Sequence, residues 1–236
     1  MRIDRFLTSA GFGSRKDVKK IIKDKRVTIN DEVCLSEGYH VDNEHDEIKV
    51  DEAIVTFNEK VYLMLHKPAG YLSATEDKFE PTVLDLIDSF EGKNLVPVGR
   101  LDKDTEGLLI ITNDGQLSHY LTSPKKKVEK EYYVELAHDF DLKYLDTIKC
   151  EIQINDNEKC LPAKVVYTDG SIIHLVIMEG KYHQVKRMMH ACDNEVTYLK
   201  RTRIGKLKLD DELQKGEYRH LTEEEIDALV AKEGPN

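Results

Sequence analysis

The run Gly99–Gly107, Gly-Arg-Leu-Asp-Lys-Asp-Thr-Glu-Gly, followed directly by Leu108-Leu109-Ile110-Ile111-Thr112, decides how the rest of the chain is read. It sets a carboxylate, Asp102, beside Arg100 and several hydroxyl and carboxyl neighbours, between a turn glycine and an apolar strand. Polar clusters on loops held by rigid elements are where binding and catalysis concentrate. Gly, Asp and Thr also suit an ordinary surface turn. The phosphotransferase pattern Asp-x-Asp-x-Thr is approached but not met. Thr105 comes one position early, and Gly99-Arg100-Leu101 precede the first Asp where a buried apolar strand should stand. Asp102 is therefore the leading candidate for a catalytic group.

Outward from this loop, 236 residues suit a small module plus a larger one with a full core. Cys34, Cys150, Cys160 and Cys192 form no C-x-x-C pair and stand near no His at ligand spacing, so neither a zinc site nor a disulfide framework is expected. The start, MRIDRFLTSAG, lacks the apolar run of a secretion signal, and no stretch approaches the roughly 18 apolar residues of a membrane span. These features predict a cytoplasmic protein without a membrane partner.

The net charge of −10 is strongly segregated. Residues 1–30 carry nine basic and three acidic side chains, and residues 181–208 carry eight and two; the acidic excess lies in 31–60 and 209–236. Phosphate binding responds to local field, so the two basic blocks keep a nucleic-acid partner open despite the acidic total.

Ile3, Phe6, Leu7 and Ala10 recur at helical spacing and Gly11-Phe12-Gly13 ends that helix. Ser14, with Asp17 three residues on, predicts a capped second helix over 15–25 with Val18, Ile21 and Ile22 inward. Arg15, Lys16, Lys19 and Lys20 then form a cationic ridge suited to a phosphate backbone. From Val61 the pattern alternates. Strands are expected over 61–65, 108–112, 131–136, 163–167 and 172–178, and helices over 83–90, 116–122, 142–148, 182–192 and 223–232. The fold class is α+β: a small N-terminal module and a mixed sheet flanked by helices.

Four stretches in order carry a family resemblance: His66-Lys67-Pro68-Ala69-Gly70, Gly99–Leu109, Lys130-Glu131-Tyr132-Tyr133-Val134 and Glu179–Met188 (EGKYHQVKRM). Together they resemble the motifs of the RsuA-type ribosomal RNA pseudouridine synthases, which isomerise a uridine in RNA. The N-terminal helix, glycine turn, Ser-Arg-Lys helix and Arg-Val-Thr-Ile-Asn strand resemble the RNA-binding module of ribosomal small-subunit protein four. The resemblance implies an RNA-binding domain over 1–58 and a catalytic domain over 59–236. It also implies Asp102 as the essential carboxylate, Tyr132 stacking on uracil, and Lys186 as the cation beside Asp102, with Arg187 next to it able to take that place.

The isomerisation breaks the glycosidic bond, turns the uracil and rejoins it through a ring carbon, so it implies no cofactor and no metal. It needs an ionised carboxylate, a cation, an aromatic platform and extraction of the base. Attack on the anomeric carbon, addition to the uracil ring and a glycal route all use one Asp. Arg100 is expected to fill the space left by the extruded base, to hold a phosphate, or to pair with Asp104 or Glu106. Lys181, His183, Gln184 and Arg187 are expected to face RNA or start the helix. Alternation along the strand allows only one of Tyr132 and Tyr133 into the cleft. The stretches 71–84 and 216–226 resemble the enzyme of the small subunit, so the expected partner is 16S ribosomal RNA or a small-subunit assembly intermediate, bound by a monomer. A 23S enzyme of the same family and a non-catalytic RNA-binding assembly factor are the alternatives.

Overall fold

The computed structural model describes residues 1–42, 45–55, 60–88, 94–155 and 158–230. The chain divides into two compact units: Met1–Lys60 with Ser89–Asn94, and Val61–Asp88 with Leu95–Asn236. The boundary expected between residues 58 and 59 lies outside the described residues.

In the first unit, α1 (Ile3–Ser9) and α2 (Arg15–Lys23) precede a four-stranded sheet of β1 (Val27–Ile29), β2 (Glu32–Val33), β3 (Ile48–Val50) and β4 (Ala53–Ile54), in the order β2-β1-β3-β4. The expected capping box is present, with Ser14 Oγ accepting from the Asp17 amide and Asp17 accepting from the Ser14 amide. Such a cap is worth about 1 kcal/mol. Asn30-Asp31 and Asp51-Glu52 all take positive φ at the two hairpin bends, the backbone that matches the twist of tight two-residue turns. Ile3, Phe6, Leu7, Val18, Ile22, Val27 and Ile48 form the core. Arg15, Lys16, Lys19, Lys20 and Lys23 are all exposed.

The second unit is built on β5 (Tyr62–Lys67), β6 (Val96–Pro97), β7 (Glu106–Thr112), α3 (Gly115–Thr122), β8 (Lys130–Leu136), α4 (Leu145–Lys149), β9 (Gln153–Asn155), β10 (Glu158–Lys159), β11 (Lys164–Asp169), β12 (Ile172–Ile177), α5 (Gln184–His190), β13 (Val196–Ile204), β14 (Leu207–Lys208), β15 (Tyr218–His220) and α6 (Glu223–Val230). Its main sheet runs β11-β12-β8-β13-β7-β5-β15, with β14 paired to β13 and β6 to β7 off this path. The sheet is mixed, as expected: β13 runs parallel to β7 and the other neighbours are antiparallel. All seven residues of β7 are buried, which explains its unbroken apolar run. At its second position the chains approach so closely that a Cβ on Gly107, φ +103°, would lie 2.2 Å from the Arg201 carbonyl oxygen, so only glycine fits.

Two expectations need correcting. The helix expected over 83–90 is one 3-10 turn, Val83–Leu86, because Ile87 is already extended; Phe90 lies outside the described residues. The helix expected over 182–192 is confined to Gln184–His190, because His183 stands in the left-handed region at φ 48°. The sequence reading also missed β13, the strand joining the two halves of the sheet. Its Lys200-Arg201-Thr202-Arg203 run hides the alternation, and Arg201 is buried at 3% exposure although charged.

Candidate active site

Asp102 lies on the loop from β6 to β7, and that loop is held through its backbone. Thr105 N–H donates to the Asp102 carbonyl at 3.1 Å. Lys67, fully buried at the end of β5, directs its ammonium to the carbonyl oxygens of Pro68, Asp102, Lys103 and Thr105 at 3.1, 3.0, 3.2 and 2.7 Å. Burial pushes its pKa down to about 8, and nearby carboxylates only partly oppose this. From the other side, the buried Ser73 hydroxyl accepts from Leu101 N–H at 3.0 Å and donates to its carbonyl at 2.9 Å. Four carbonyl groups and two amides of this loop are thereby satisfied internally, which fixes the loop where the carboxylate projects.

The Asp102 side chain is half-buried. Among the described residues no hydrogen bond closes on its carboxylate; His183 Nε2 stands 3.8 Å from Oδ1 and Lys186 Nζ stands 3.8 Å from Oδ2. Its lone pairs are therefore open to a third party inside a small cavity also lined by Arg100, Thr105, Tyr132, Ile177, His183 and Leu199. Two cationic or ionisable groups flank the carboxylate without capping it.

Tyr132, on β8, is buried and lines this cavity. Tyr133 faces the other side of the sheet, edge-on to His174 and Tyr198 at 5.6 and 6.1 Å, with its hydroxyl donating to Glu135. Of the basic pair at the start of α5, Lys186 turns toward Asp102. Arg187 turns away, onto Glu158 at 2.7 Å and the Tyr182 carbonyl at 3.0 Å. The tightest partner of Lys186 is Asp104, at 2.6 and 2.7 Å. Burial raises the Asp104 pKa, but the hydrogen bond and charge of Lys186 outweigh it and hold the carboxyl below its usual range. One ammonium thus bridges two carboxylates two residues apart.

His183, read from the sequence as an RNA-facing or helix-start residue, stands directly beside Asp102. Its left-handed backbone costs on the order of 1 kcal/mol, and Tyr182 stacks on its ring at 3.8 Å. Gln184 is buried and bonded within its own turn, accepting from Lys181 N–H and donating to Glu179. The Lys181 ammonium is held by the Lys159 carbonyl. Arg100 is exposed at the cavity edge and pairs with neither Asp104 nor Glu106, which take Lys186 and Lys215 instead. Arg15, Lys16 and Lys20 make no ion pair among the described residues, whereas Lys19 pairs with Glu37 at 2.7 Å. Sequence reasoning gave no role to Lys67 and did not single out Ser73, Ile177 or Leu199. The Lys-Pro-x-Gly motif flags Lys67 but says nothing of its carbonyl cage.

The sequence pattern of the RNA pseudouridylate synthase family matches residues 61–191, and that of the S4 domain matches residues 1–48. Curated relatives extend over both. An uncharacterized RNA pseudouridine synthase of Bacillus subtilis is 46% identical over 97% of this chain and 98% of its own length. The ribosomal small subunit pseudouridine synthase A of Vibrio vulnificus is 42% identical over 97% and 99%, and that of Escherichia coli 39% identical over 98% and 100%. A crystal structure of a pseudouridylate synthase superposes with a TM-score of 0.71 at 39% identity, covering 98% of this chain and 100% of that one.

Proposed function

This chain belongs to the RNA pseudouridylate synthase family, and from that premise we propose that it converts one specific uridine of 16S small-subunit ribosomal RNA to pseudouridine, with Asp102 as the catalytic carboxylate. The observation that carries the assignment is the half-buried Asp102 carboxylate, flanked at 3.8 Å by His183 and Lys186 and hydrogen-bonded by neither, on a loop fixed by Lys67 and Ser73. A carboxylate so placed is oriented and accessible. Tyr132 supplies an aromatic face in the same cavity, where uracil stacks when the uridine is drawn out of the RNA.

Lys186 holds the negative charge in place. Its bond to the exposed Asp104 is worth no more than about 1 kcal/mol, so it can move the short distance to Asp102 when substrate excludes water. Arg100, at the mouth, is suited to the phosphate of the extruded nucleotide; Lys181, His183 and Gln184 line the same cavity and face RNA with it, and Arg187, held on Glu158 in α5, joins them only by leaving that pair. Arg15, Lys16, Lys19 and Lys20 dock RNA on the first unit, whose match to the S4 domain supports that role. The domains are proposed as 1–58 for RNA docking and 59–236 for catalysis.

The small-subunit target rests on full-length relatives of that name. A monomer suffices because the carboxylate, ring and cation come from one chain, and the cytoplasm is where such RNA is assembled into subunits; among the described residues no helix is long and apolar enough to cross a membrane. Tritium release from 5-tritiated uridine in 16S transcripts tests the reaction. D102N and D102A are expected to lose at least about 10³-fold, some 4 kcal/mol of barrier. Undiminished release would remove Asp102 from the chemistry.

A further inference from the structure

A second cavity, about 250 Å³ against about 50 Å³ for the one beside Asp102, adjoins it and shares Arg100, Tyr132 and Gly180. Its floor is Lys130 on β8 with Arg201 and Ile204 on β13, its walls are Val98, Gly99 and Leu121, and Thr122 stands exposed beside them. Its chemistry is lopsided. No carboxylate lines it, yet two largely buried cations do. Lys130 Nζ donates to the Val128 carbonyl at 3.1 Å, and Arg201, 3% exposed, bonds through Nε to the Leu108 carbonyl while its Nη2 has no partner among the described residues. Burial and the neighbouring Arg201 push the Lys130 pKa down to about 8. Buried cations without counter-charge are costly, and nothing in the uridine cavity uses them.

We propose that this cavity is a subsite for the base of the nucleotide next to the target uridine, and that Lys130 and Arg201 select guanine there. The proposal rests on uridine occupying the Asp102 cavity. The space is below the roughly 300 Å³ at which drug-sized ligand sites begin, which suits one base rather than a stack. Apolar walls and the Tyr132 ring accept a planar heterocycle. Lysine and arginine only donate, so the edge they prefer presents adjacent acceptors, and among the bases the N7 and O6 edge of guanine does so. Arg100 lies at the edge of both cavities, where the phosphodiester linking the two nucleosides would pass.

The test uses the D102N chain, which binds without turnover, titrated by nuclear magnetic resonance with uridine 5′-monophosphate and with GpU, UpG, ApU and UpA. At least one guanine dinucleotide should bind about tenfold more tightly than its adenine counterpart and than the mononucleotide. Adding Lys130→Met should bring the guanine and adenine dinucleotides within about threefold while leaving the mononucleotide affinity unchanged. Thr122→Trp, which obstructs the cavity from an exposed position and alters no cation, should do the same and guards against misfolding of the Lys130 variant. Equal affinity for guanine and adenine dinucleotides, or a guanine preference that survives both substitutions, overturns the subsite while leaving the uridine site standing. Failure of the mononucleotide and of every dinucleotide to bind removes the uridine site and the subsite together.

Discussion

The two units of this protein handle positive charge in opposite ways. On α2, Arg15, Lys16, Lys19 and Lys20 stand in solvent on a short helix whose other face is core, and among the described residues their one ion pair is the exposed one of Lys19 to Glu37. In the second unit, Lys67, Lys130 and Arg201 lie inside, and each is held by backbone carbonyl oxygens rather than by acids. Exposed cations supply affinity that salt screens, and they leave the fold alone. Buried cations bonded to carbonyls set geometry, and losing one leaves polar backbone without partners. The same residue types thus stand free of the fold in one unit, where docking is the role proposed for them, and set shape in the other, and substitutions separate the two roles.

The largest effect is expected at Lys67. Lys67→Met strands carbonyls of Pro68, Asp102, Lys103 and Thr105, and should lower stability by about 3 kcal/mol in urea titration while slowing turnover as the loop loosens. Unchanged stability would mean that the cage does not hold the loop. Next comes pH. With folded pKa values of about 8 for Lys67 and Lys130 against an ordinary 10.5, the unfolded chain binds more protons between those values. Their contribution to stability therefore rises with pH from about 8 to 10.5, by at most about 1.4 kcal/mol per pH unit for each group. Stability curves of K67M and K130M should be flatter than that of the parent in this window.

In the first unit, replacing Arg15, Lys16, Lys19 and Lys20 together by Ala should leave the melting temperature within a few degrees. RNA affinity should fall roughly tenfold, and the slope of log affinity against log salt should drop by about three. An unchanged slope would place docking elsewhere. The smallest effect is expected at Asp104. Asp104→Asn releases Lys186 to close on Asp102, so turnover should change by less than about threefold. A loss as deep as that of D102N would make Asp104 the working carboxylate.

What the sequence disclosed divides along similar lines. Local signals were readable: the Ser14–Asp17 cap, the exposed ridge of α2, the strand of Leu108–Thr112, and the alternation that separates Tyr132 from Tyr133. The motifs also pointed to Asp102, Tyr132 and Lys186, and the structure brings these near one another. It was silent where a side chain's task depends on distant backbone. Nothing in Lys67, Ser73 or Arg201 announces that their partners are carbonyls 28 to 93 positions away. β13 escaped because buried Arg201 breaks the apolar rhythm by which strands are recognised. The preference of Lys186 for Asp104 over Asp102 turns on about 1 Å of loop geometry, which no pattern encodes.

The central claim is tested most directly by mapping pseudouridine across the ribosomal RNA of cells lacking this protein, then restoring either the parent chain or D102N. The account predicts one small-subunit uridine left unmodified, recovered by the parent and not by D102N at equal protein level. Recovery by D102N would contradict the catalytic assignment, and a lost site in the large subunit, or no lost site, would contradict the substrate.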